Sequence, residues 1–207
     1  MKLYFAPGAC SLSPHIVLRE AGVPVELERV DLAEGRIVST GEAFRSVNPK
    51  GYVPALEVAP GDIVTEGAAI VQHIADSHPE AGLAPAAGTL ERARVNEWLT
   101  FLSSELHKAF SPLFRPDNSE EVKAAAIERV ASRLDHVESV LADGRSYLTG
   151  EQFTIADAYL FTLTNWTGPT GVGLGSRSKL IAYMDRVRQR PAVLAALEAE
   201  GLLQPAA

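Results

Sequence analysis

The chain has 207 residues, 46% of them apolar and 22% charged, which is ordinary for a soluble globular protein and accommodates one large domain or two small ones. Its 19 basic and 26 acidic residues give a net charge of −7, which argues against nucleic acids and anionic membrane surfaces as main partners. The single cysteine, Cys10, excludes an intrachain disulfide framework and a cysteine-rich metal site, and it fits a reducing compartment.

The N-terminal segment does not have the form of a signal peptide, because its apolar run is short and Pro7-Gly8 interrupts it. No apolar stretch reaches the roughly 18 residues that a membrane-spanning helix needs. The sequence therefore predicts a cytoplasmic protein without a membrane span.

The first part of the chain, residues 1–80, alternates short apolar runs with turn signals, which predicts a mixed sheet with helices on its faces. The stretch 33–41 is polar and is predicted to be a loop. The predicted order is strand, helix, strand, helix, strand, strand, helix, at residues 3–5, 14–21, 23–30, 42–47, 53–58, 63–64 and 66–77.

Beyond a predicted linker at 81–87, residues 88–207 have helical periodicity and predict an all-α domain of about five helices. Apolar residues recur at helical spacing along 95–110 and 127–141, and two short helices are predicted at 179–190 and 192–200. The stretch 154–164 is apolar nearly all round, which predicts a buried central helix. Its first four residues, Thr154-Ile155-Ala156-Asp157, have the form of a capping box.

Cys10 follows the first predicted strand and precedes the first predicted helix. The helix dipole and unpaired N–H groups at that position favour a thiolate. The pattern Cys10-Ser11-Leu12-Ser13 has the spacing of a redox Cys-x-x-Cys motif whose second thiol is replaced by serine. Such a thiol forms a mixed disulfide with a small thiol but closes no internal disulfide. The alternative is that Cys10 is a small buried apolar residue.

Two further segments have the chemistry of a peptide-binding site. A cis Val53-Pro54 bond would expose the backbone of Val53, on which a peptide ligand can pair as a short strand; the alternative is an ordinary trans proline at a strand start. Free N–H groups at Glu66-Gly67, the start of the next helix, bind carboxylates, and Glu66 can accept from an ammonium group; the alternative is a plain helix cap.

Together these features resemble the cytosolic glutathione transferases. Five segments look like the bacterial beta class: "KLYFAPGACSLSPHIVLREAG", "NPKGYVPALE", "TEGAAIVQHIAD", "EWLTFLSSELHKAFSPLF" and "FTIADAYLF". The resemblance implies a thioredoxin-like α/β domain followed by an all-α helical bundle domain, usually as a homodimer. It also implies glutathione as cosubstrate, with no metal or other cofactor, and a helical domain that contributes the site for a small hydrophobic electrophile.

The resemblance carries the family's site residues onto this sequence position by position. It implies a thiol at Cys10, backbone pairing at Val53 beside Pro54, a γ-glutamyl site at Glu66 and Gly67, and a histidine near the sulfur at His107. Arg36 and Lys108 are the candidates for the glycyl carboxylate. Ser11 is a candidate for stabilising the thiolate.

Three polar residues of the second domain, Thr100, Ser104 and His107, have the spacing i, i+4, i+7, which places them on one face of a helix. This face is distinct from the apolar stripe and suits the wall of a cleft. Many family members have asparagine where this sequence has Thr100, and some have tyrosine where it has Phe5.

Three functions are compatible with these residues. The first hypothesis is a glutathione transferase that conjugates glutathione to small electrophiles, with disulfide or peroxide reduction as further activities. The second is a glutaredoxin-like thiol transferase in which Cys10 is the nucleophile. The third is a non-enzymatic ligand-binding or interaction protein with the same fold.

Overall fold

The computed structural model describes residues 1–203, which form two compact units. Among the described residues, unit 1 comprises Met1–Ala84 together with 189–203, and unit 2 comprises Pro85–Arg188. Residues 189–203 therefore pack with the beginning of the chain. The division into domains at 1–80, 81–87 and 88–207 stays a prediction.

Unit 1 contains a five-stranded mixed sheet. Its strands are β1 Lys2–Phe5, β2 Glu26–Asp31, β3 Arg36–Ile37, β4 Ala55–Ala59 and β5 Asp62–Thr65. Their order in the sheet is β3-β2-β1-β4-β5. Strand β1 pairs parallel to β2 and antiparallel to β4, and the pairs β2–β3 and β4–β5 are antiparallel. The four predicted strands are confirmed in position. The second starts three residues later than predicted, after Pro24, which has no N–H to donate to a ladder.

The prediction of a loop at 33–41 was wrong in part, because it contains the two-residue strand β3. So short a strand shows no alternation of apolar and polar residues, and it forms because the chain folds back onto β2. The helix predicted at 42–47 is a single 3-10 turn, Phe44–Ser46.

Eight α-helices occur among the described residues. They are α1 Leu12–Glu20, α2 Gly67–Ser77, α3 Leu90–Phe101, α4 His107–Phe110, α5 Glu120–Leu141, α6 Ile155–Thr164, α7 Ser178–Arg188 and α8 Pro191–Ala199. None of them is long and apolar enough to cross a membrane. In unit 1, α1 packs against α2 and α8, and every residue of α1 from Leu12 to Leu18 is buried.

Unit 2 consists of helices α3 to α7. A π-helical turn, Leu102–Leu106, separates α3 from α4, where the sequence predicted one regular helix. A π turn contains one residue more than an α turn, so it changes which side chains share a face. The apolar spacing alone does not reveal it, because Leu102 and Leu106, both buried, are four residues apart, which is also the spacing of a regular amphipathic helix.

The predicted central helix is confirmed, since all ten residues of α6 are buried. Its capping box is also confirmed: Asp157 accepts from the backbone N–H of Thr154 at 2.8 Å and from its hydroxyl at 2.9 Å. The same carboxylate accepts from the N–H of Leu148 and from the Tyr183 hydroxyl, both at 2.9 Å. Four donors thus converge on one buried side chain and join α6 to α7 and to the loop after α5.

Candidate glutathione site

Three segments of unit 1 meet at one edge of the sheet. Tyr4 near the end of β1 lies opposite Ala55 at the start of β4, and Ala55 lies opposite Thr65 at the end of β5. The residues that follow β1, precede β4 and follow β5 are therefore neighbours in space. These are the loop of residues 6–11 (the Cys10 loop), the Val53-Pro54 pair and the Glu66-Gly67 pair. The sheet topology therefore brings together the three features that the sequence singled out.

Cys10 lies half-buried, two residues before the first residue of α1. Its thiol donates to the backbone carbonyl of Val53, with Sγ 3.2 Å from the oxygen. The helix start is an environment that favours thiolate. The sulfur is thus held at the backbone on which a peptide ligand was predicted to pair.

Ser11 lies beside Cys10 but is fully buried. Its hydroxyl oxygen accepts from the N–H of Ala6 and donates to the Ala6 carbonyl, both at 3.2 Å. This geometry gives Ser11 a structural role, because it closes the loop that carries Cys10. The prediction that Ser11 stabilises a ligand thiolate is not supported by the position of its hydroxyl.

The peptide bond between Val53 and Pro54 is cis. The trans alternative, which the base rate of proline bonds favours, is therefore wrong. Val53 is buried, and its carbonyl faces the Cys10 thiol.

Glu66 precedes α2 in an unusual backbone conformation, with φ 70° and ψ 113°. Positive φ is costly for a residue with a large side chain, and such strain concentrates at functional sites. The Glu66 side chain is about half exposed, at 54%. One of its oxygens accepts from the Tyr52 hydroxyl at 2.8 Å and from the ammonium group of Lys50, which also donates to Thr65 at 3.1 Å.

The hydrogen bond to Glu66 raises the pKa of the Tyr52 phenol and of the Lys50 ammonium group. Sequence reasoning missed both residues, because their side chains reach Glu66 only once the segment before β4 lies beside the end of β5. The signal that could have indicated them is their place in the sequence, since Lys50 and Tyr52 are polar residues directly before the Val53-Pro54 pair.

Two arginines lie between β2 and β4. Arg36 is on β3, exposed, and donates to the Gly41 carbonyl at 2.7 Å. Arg45, which the sequence did not single out, donates to the Pro49 carbonyl at 2.6 Å and lies against Gly51, where an added Cβ would be 2.8 Å from its Cζ. A cavity of about 360 Å³ is lined by Arg45, Gly51 and residues 32–35.

The predicted residues of unit 2 differ in exposure. Thr100 and Ser104 are exposed, and their hydroxyls donate to helix carbonyls. His107 is half-buried, with Nδ1 2.9 Å from the Tyr159 hydroxyl and its ring 4.9 Å from that of Trp166. The π turn lies between Thr100 and His107, so it interrupts the regular helical spacing from which the shared face of the three residues was predicted. Lys108 is exposed on α4.

A larger cavity of about 640 Å³ lies between α3 and α5 in unit 2. Trp98, Phe101 and His136 line it, and it contains none of the predicted site residues. Among residues 1–203, no three histidine, cysteine, aspartate or glutamate side chains are grouped as a metal ion would require.

Comparison with known proteins matches both parts of the chain. The family model "Glutathione S-transferase, N-terminal domain" matches residues 8–77, and "Glutathione S-transferase, C-terminal domain" matches residues 101–191. Glutathione S-transferase GstA of Escherichia coli O157:H7 is 44% identical over 202 residues, which is 98% of this chain and 100% of that protein.

Two solved structures are similar over 98% of this chain and 100% of their own. One is a sphingomonad glutathione S-transferase complexed with glutathione, at 49% identity and a TM-score of 0.93. The other is a bacterial beta class glutathione S-transferase from Sphingomonas chungbukensis, at 47% identity and a TM-score of 0.94.

Proposed function

The chain belongs to the glutathione S-transferase family, in its bacterial beta class, and we propose that it conjugates glutathione to small hydrophobic electrophiles through the residues described above. The observation that carries the proposal is the sheet edge of unit 1, where a helix-start thiol, a cis-proline strand start and an acidic helix start meet. The non-enzymatic hypothesis does not account for this constellation in a chain of this family.

The proposed recognition follows the chemistry of glutathione, a γ-linked tripeptide with one ammonium group and two carboxylates. Glu66 accepts from the ammonium group, and the N–H of Gly67 at the start of α2 donates to the neighbouring carboxylate. The backbone of Val53, next to Pro54, pairs with the cysteinyl residue as a short strand. Tyr52 and Lys50 hold the Glu66 carboxylate in place before the ligand binds.

The glycyl carboxylate of glutathione is negatively charged, and the chain has a net charge of −7. Its binding therefore needs a cationic side chain close to it. Arg36 and Lys108 are the proposed partners, and the position of Arg45 beside the segment that leads to Val53 makes it a third.

The conjugation step needs glutathione as thiolate. In the proposed mechanism the start of α1 beside Cys10 stabilises the negative sulfur, since helix N-termini favour anions. The sulfur attacks the electrophilic carbon, the S–C bond forms, and the leaving group departs with its electron pair or an epoxide ring opens. From unit 2, His107, with Thr100 and Ser104 on the preceding turns, is proposed to contact glutathione near its sulfur.

We expect His107→Phe to lower kcat for conjugation of an aryl halide by about 10-fold, because the edge-to-face ring contact with Trp166 is kept while the imidazole nitrogens are lost. Steady-state kinetics with saturating glutathione measures this. His136→Phe is the matched control, since it makes the same change at an exposed position of unit 2. Equal kcat values for the His107 variant and the wild type would remove His107 from the mechanism.

Thiol transfer is the second candidate function, because the Cys10 sulfur lies 3.2 Å from the carbonyl of Val53, on whose backbone the cysteinyl residue of glutathione is proposed to pair. The Cys10 thiolate would attack the glutathione sulfur of a mixed disulfide and release the other thiol. A second glutathione would then attack the Cys10 disulfide, which yields glutathione disulfide and regenerates Cys10.

Cys10→Ser is expected to reduce this thiol transfer by about 100-fold or more, because a serine hydroxyl is a far weaker nucleophile than a thiolate. Conjugation of an aryl halide is expected to stay within about threefold of the wild type, since the nucleophile there is the thiol of glutathione. Both rates are measured on the same preparation. Full retention of thiol transfer would show that Cys10 has a structural role alone.

The proposed partners are glutathione, a small hydrophobic electrophile and a second copy of the chain, and the proposed location is the cytoplasm. A homodimer is expected to have twice the chain mass of 22.2 kDa in solution. Light scattering coupled to size-exclusion chromatography measures this mass. A single species at the chain mass would contradict the dimer.

A further inference from the structure

A buried tyrosine on α6 reaches the ring of His107. The hydroxyl of Tyr159 lies 2.9 Å from Nδ1 of His107, which is the first residue of α4 and stands 52 positions earlier in the chain. Tyr159 is only 3% exposed, whereas His107 is half-buried. The hydrogen bond therefore joins a side chain of the interior of unit 2 to one that reaches its surface.

The hydroxyl of Tyr159 has a fixed place, because the helix that carries it is packed on every face. All ten residues of α6 are buried, and Asp157, two positions before Tyr159, accepts four hydrogen bonds. Buried polar groups that are fully bonded make a structure rigid. The Tyr159 oxygen is therefore a rigid point against which a more exposed side chain can be oriented.

Packing fixes the plane of the His107 ring but not the direction of its nitrogens. The rings of Trp166 and Tyr159 contact it edge to face, with centroids 4.9 and 6.1 Å away. A turn of about 180° around the last side-chain bond exchanges nitrogen and carbon atoms within almost the same outline, so ring contacts distinguish the two orientations poorly. The Tyr159 hydroxyl distinguishes them, because only one orientation brings Nδ1 to it.

The same bond bears on which nitrogen of His107 has the proton. A neutral imidazole has one N–H, so Nδ1 either accepts from the Tyr159 hydroxyl, with the proton on Nε2, or donates to it, with Nε2 unprotonated. In the proposed function, on which this step rests, His107 contacts a glutathione sulfur that reacts as thiolate. A thiolate accepts hydrogen bonds, so the ring nitrogen that faces it has to be the protonated one.

We propose that Tyr159 is a positioning residue for conjugation: its hydroxyl donates to Nδ1 of His107 and thereby directs Nε2–H towards the glutathione sulfur. Tyr159 acts only through His107 and contacts neither substrate. No local pattern reveals the pair, because its members belong to different helices.

The first test is the nitrogen-15 NMR spectrum of the histidine rings in the full-length protein without glutathione, at a pH where the rings are neutral. The chemical shifts of the two ring nitrogens distinguish the tautomers, and the signals of His107 are those missing from His107→Phe. We expect Nε2 protonated and Nδ1 unprotonated in the wild type. In Tyr159→Phe, which keeps the ring and removes the hydroxyl, we expect the Nδ1 shift to move towards its protonated value.

The second test is steady-state kinetics with an aryl halide. Tyr159→Phe is expected to lower kcat by about fivefold and to leave the KM for glutathione within about twofold, because the residues proposed to recognise glutathione are untouched. Since Tyr159 acts through His107, the double variant is expected to lose no more than the roughly 10-fold of His107→Phe alone. Independent effects would multiply to about 50-fold.

Tyr183→Phe is the matched control, since it removes another buried tyrosine hydroxyl of unit 2, one that donates to Asp157 at 2.9 Å. It is expected to lower stability while the ring-nitrogen shifts of His107 stay at their wild-type values. This outcome separates a general loss of packing from the specific loss of the bond to His107.

Three results would overturn the inference: a protonated Nδ1 in the wild type, unchanged His107 shifts in Tyr159→Phe, or losses that multiply in the double variant. The NMR test needs no glutathione, so the two proposals fail separately. If the shifts change as expected but His107→Phe conjugates as fast as the wild type, the proposed role of His107 is wrong and so is the effect of Tyr159 on conjugation, whereas the orientation of the ring by Tyr159 stands.

Discussion

Replacing Asp157 by alanine is expected to lower the free energy of unfolding by about 3 to 5 kcal/mol. Burial raises the pKa of the Asp157 carboxyl, and the four hydrogen bonds from Leu148, Thr154 and Tyr183 act in the opposite direction. Those bonds offset part of the desolvation of the carboxyl group. Without the side chain, several buried donors lose their acceptor, and each such loss costs about 1 to 3 kcal/mol.

Urea unfolding followed by circular dichroism measures this change. Asp157→Asn is expected to fall between wild type and Asp157→Ala, because the amide keeps one oxygen as an acceptor but turns an NH₂ group towards the remaining donors. Asp185→Asn, on the exposed face of α7, is the matched control and should stay within about 0.5 kcal/mol of wild type. A loss of under 1 kcal/mol in Asp157→Ala would show that the network around α6 contributes little to stability.

Replacing Glu66 by glutamine is expected to weaken glutathione binding by about 10- to 100-fold. The change keeps the size of the side chain and removes its charge, so a charge-assisted hydrogen bond of about 1.5 to 3 kcal/mol to the glutathione ammonium group is lost. Isothermal titration calorimetry measures the dissociation constant. Glu80→Gln, an exposed position of unit 1 outside the site, is the control for net charge.

A glutathione analogue without the α-amino group separates recognition from structural damage. The wild type is expected to bind this analogue about as weakly as Glu66→Gln binds glutathione, and Glu66→Gln is expected to bind the two ligands equally. If the substitution weakens the binding of both ligands by the same factor, Glu66 does not recognise the ammonium group.

Much of the fold could be predicted because short-range patterns determine it. Three features each depend on neighbouring residues: the buried run at Leu3, the helix that ends before Gly22, and the capping box at Thr154 and Asp157. The structure has them in the predicted places. The helix starts beside Cys10 and Gly67 belong to the same class of local signal.

The features that could not be predicted depend on long-range packing. The strand β3 needs β2 beside it, and the π turn at Leu102–Leu106 leaves the apolar spacing unchanged. The burial of Ser11 and the hydrogen bond from the Gly8 N–H to Glu200 arise only when the loop after β1 has been folded against α1 and α8. The sequence therefore predicted which residues form the candidate site, but it did not predict the hydrogen-bond partners of their side chains.

A crystal structure of the protein grown with glutathione tests the account most directly. We expect the glutathione ammonium group within about 3.2 Å of the Glu66 carboxylate, the adjacent carboxylate on the N–H of Gly67, and the cysteinyl backbone paired with Val53. The proposed site would be contradicted if glutathione bound elsewhere on the chain and contacted neither the Val53 backbone nor the Glu66 side chain.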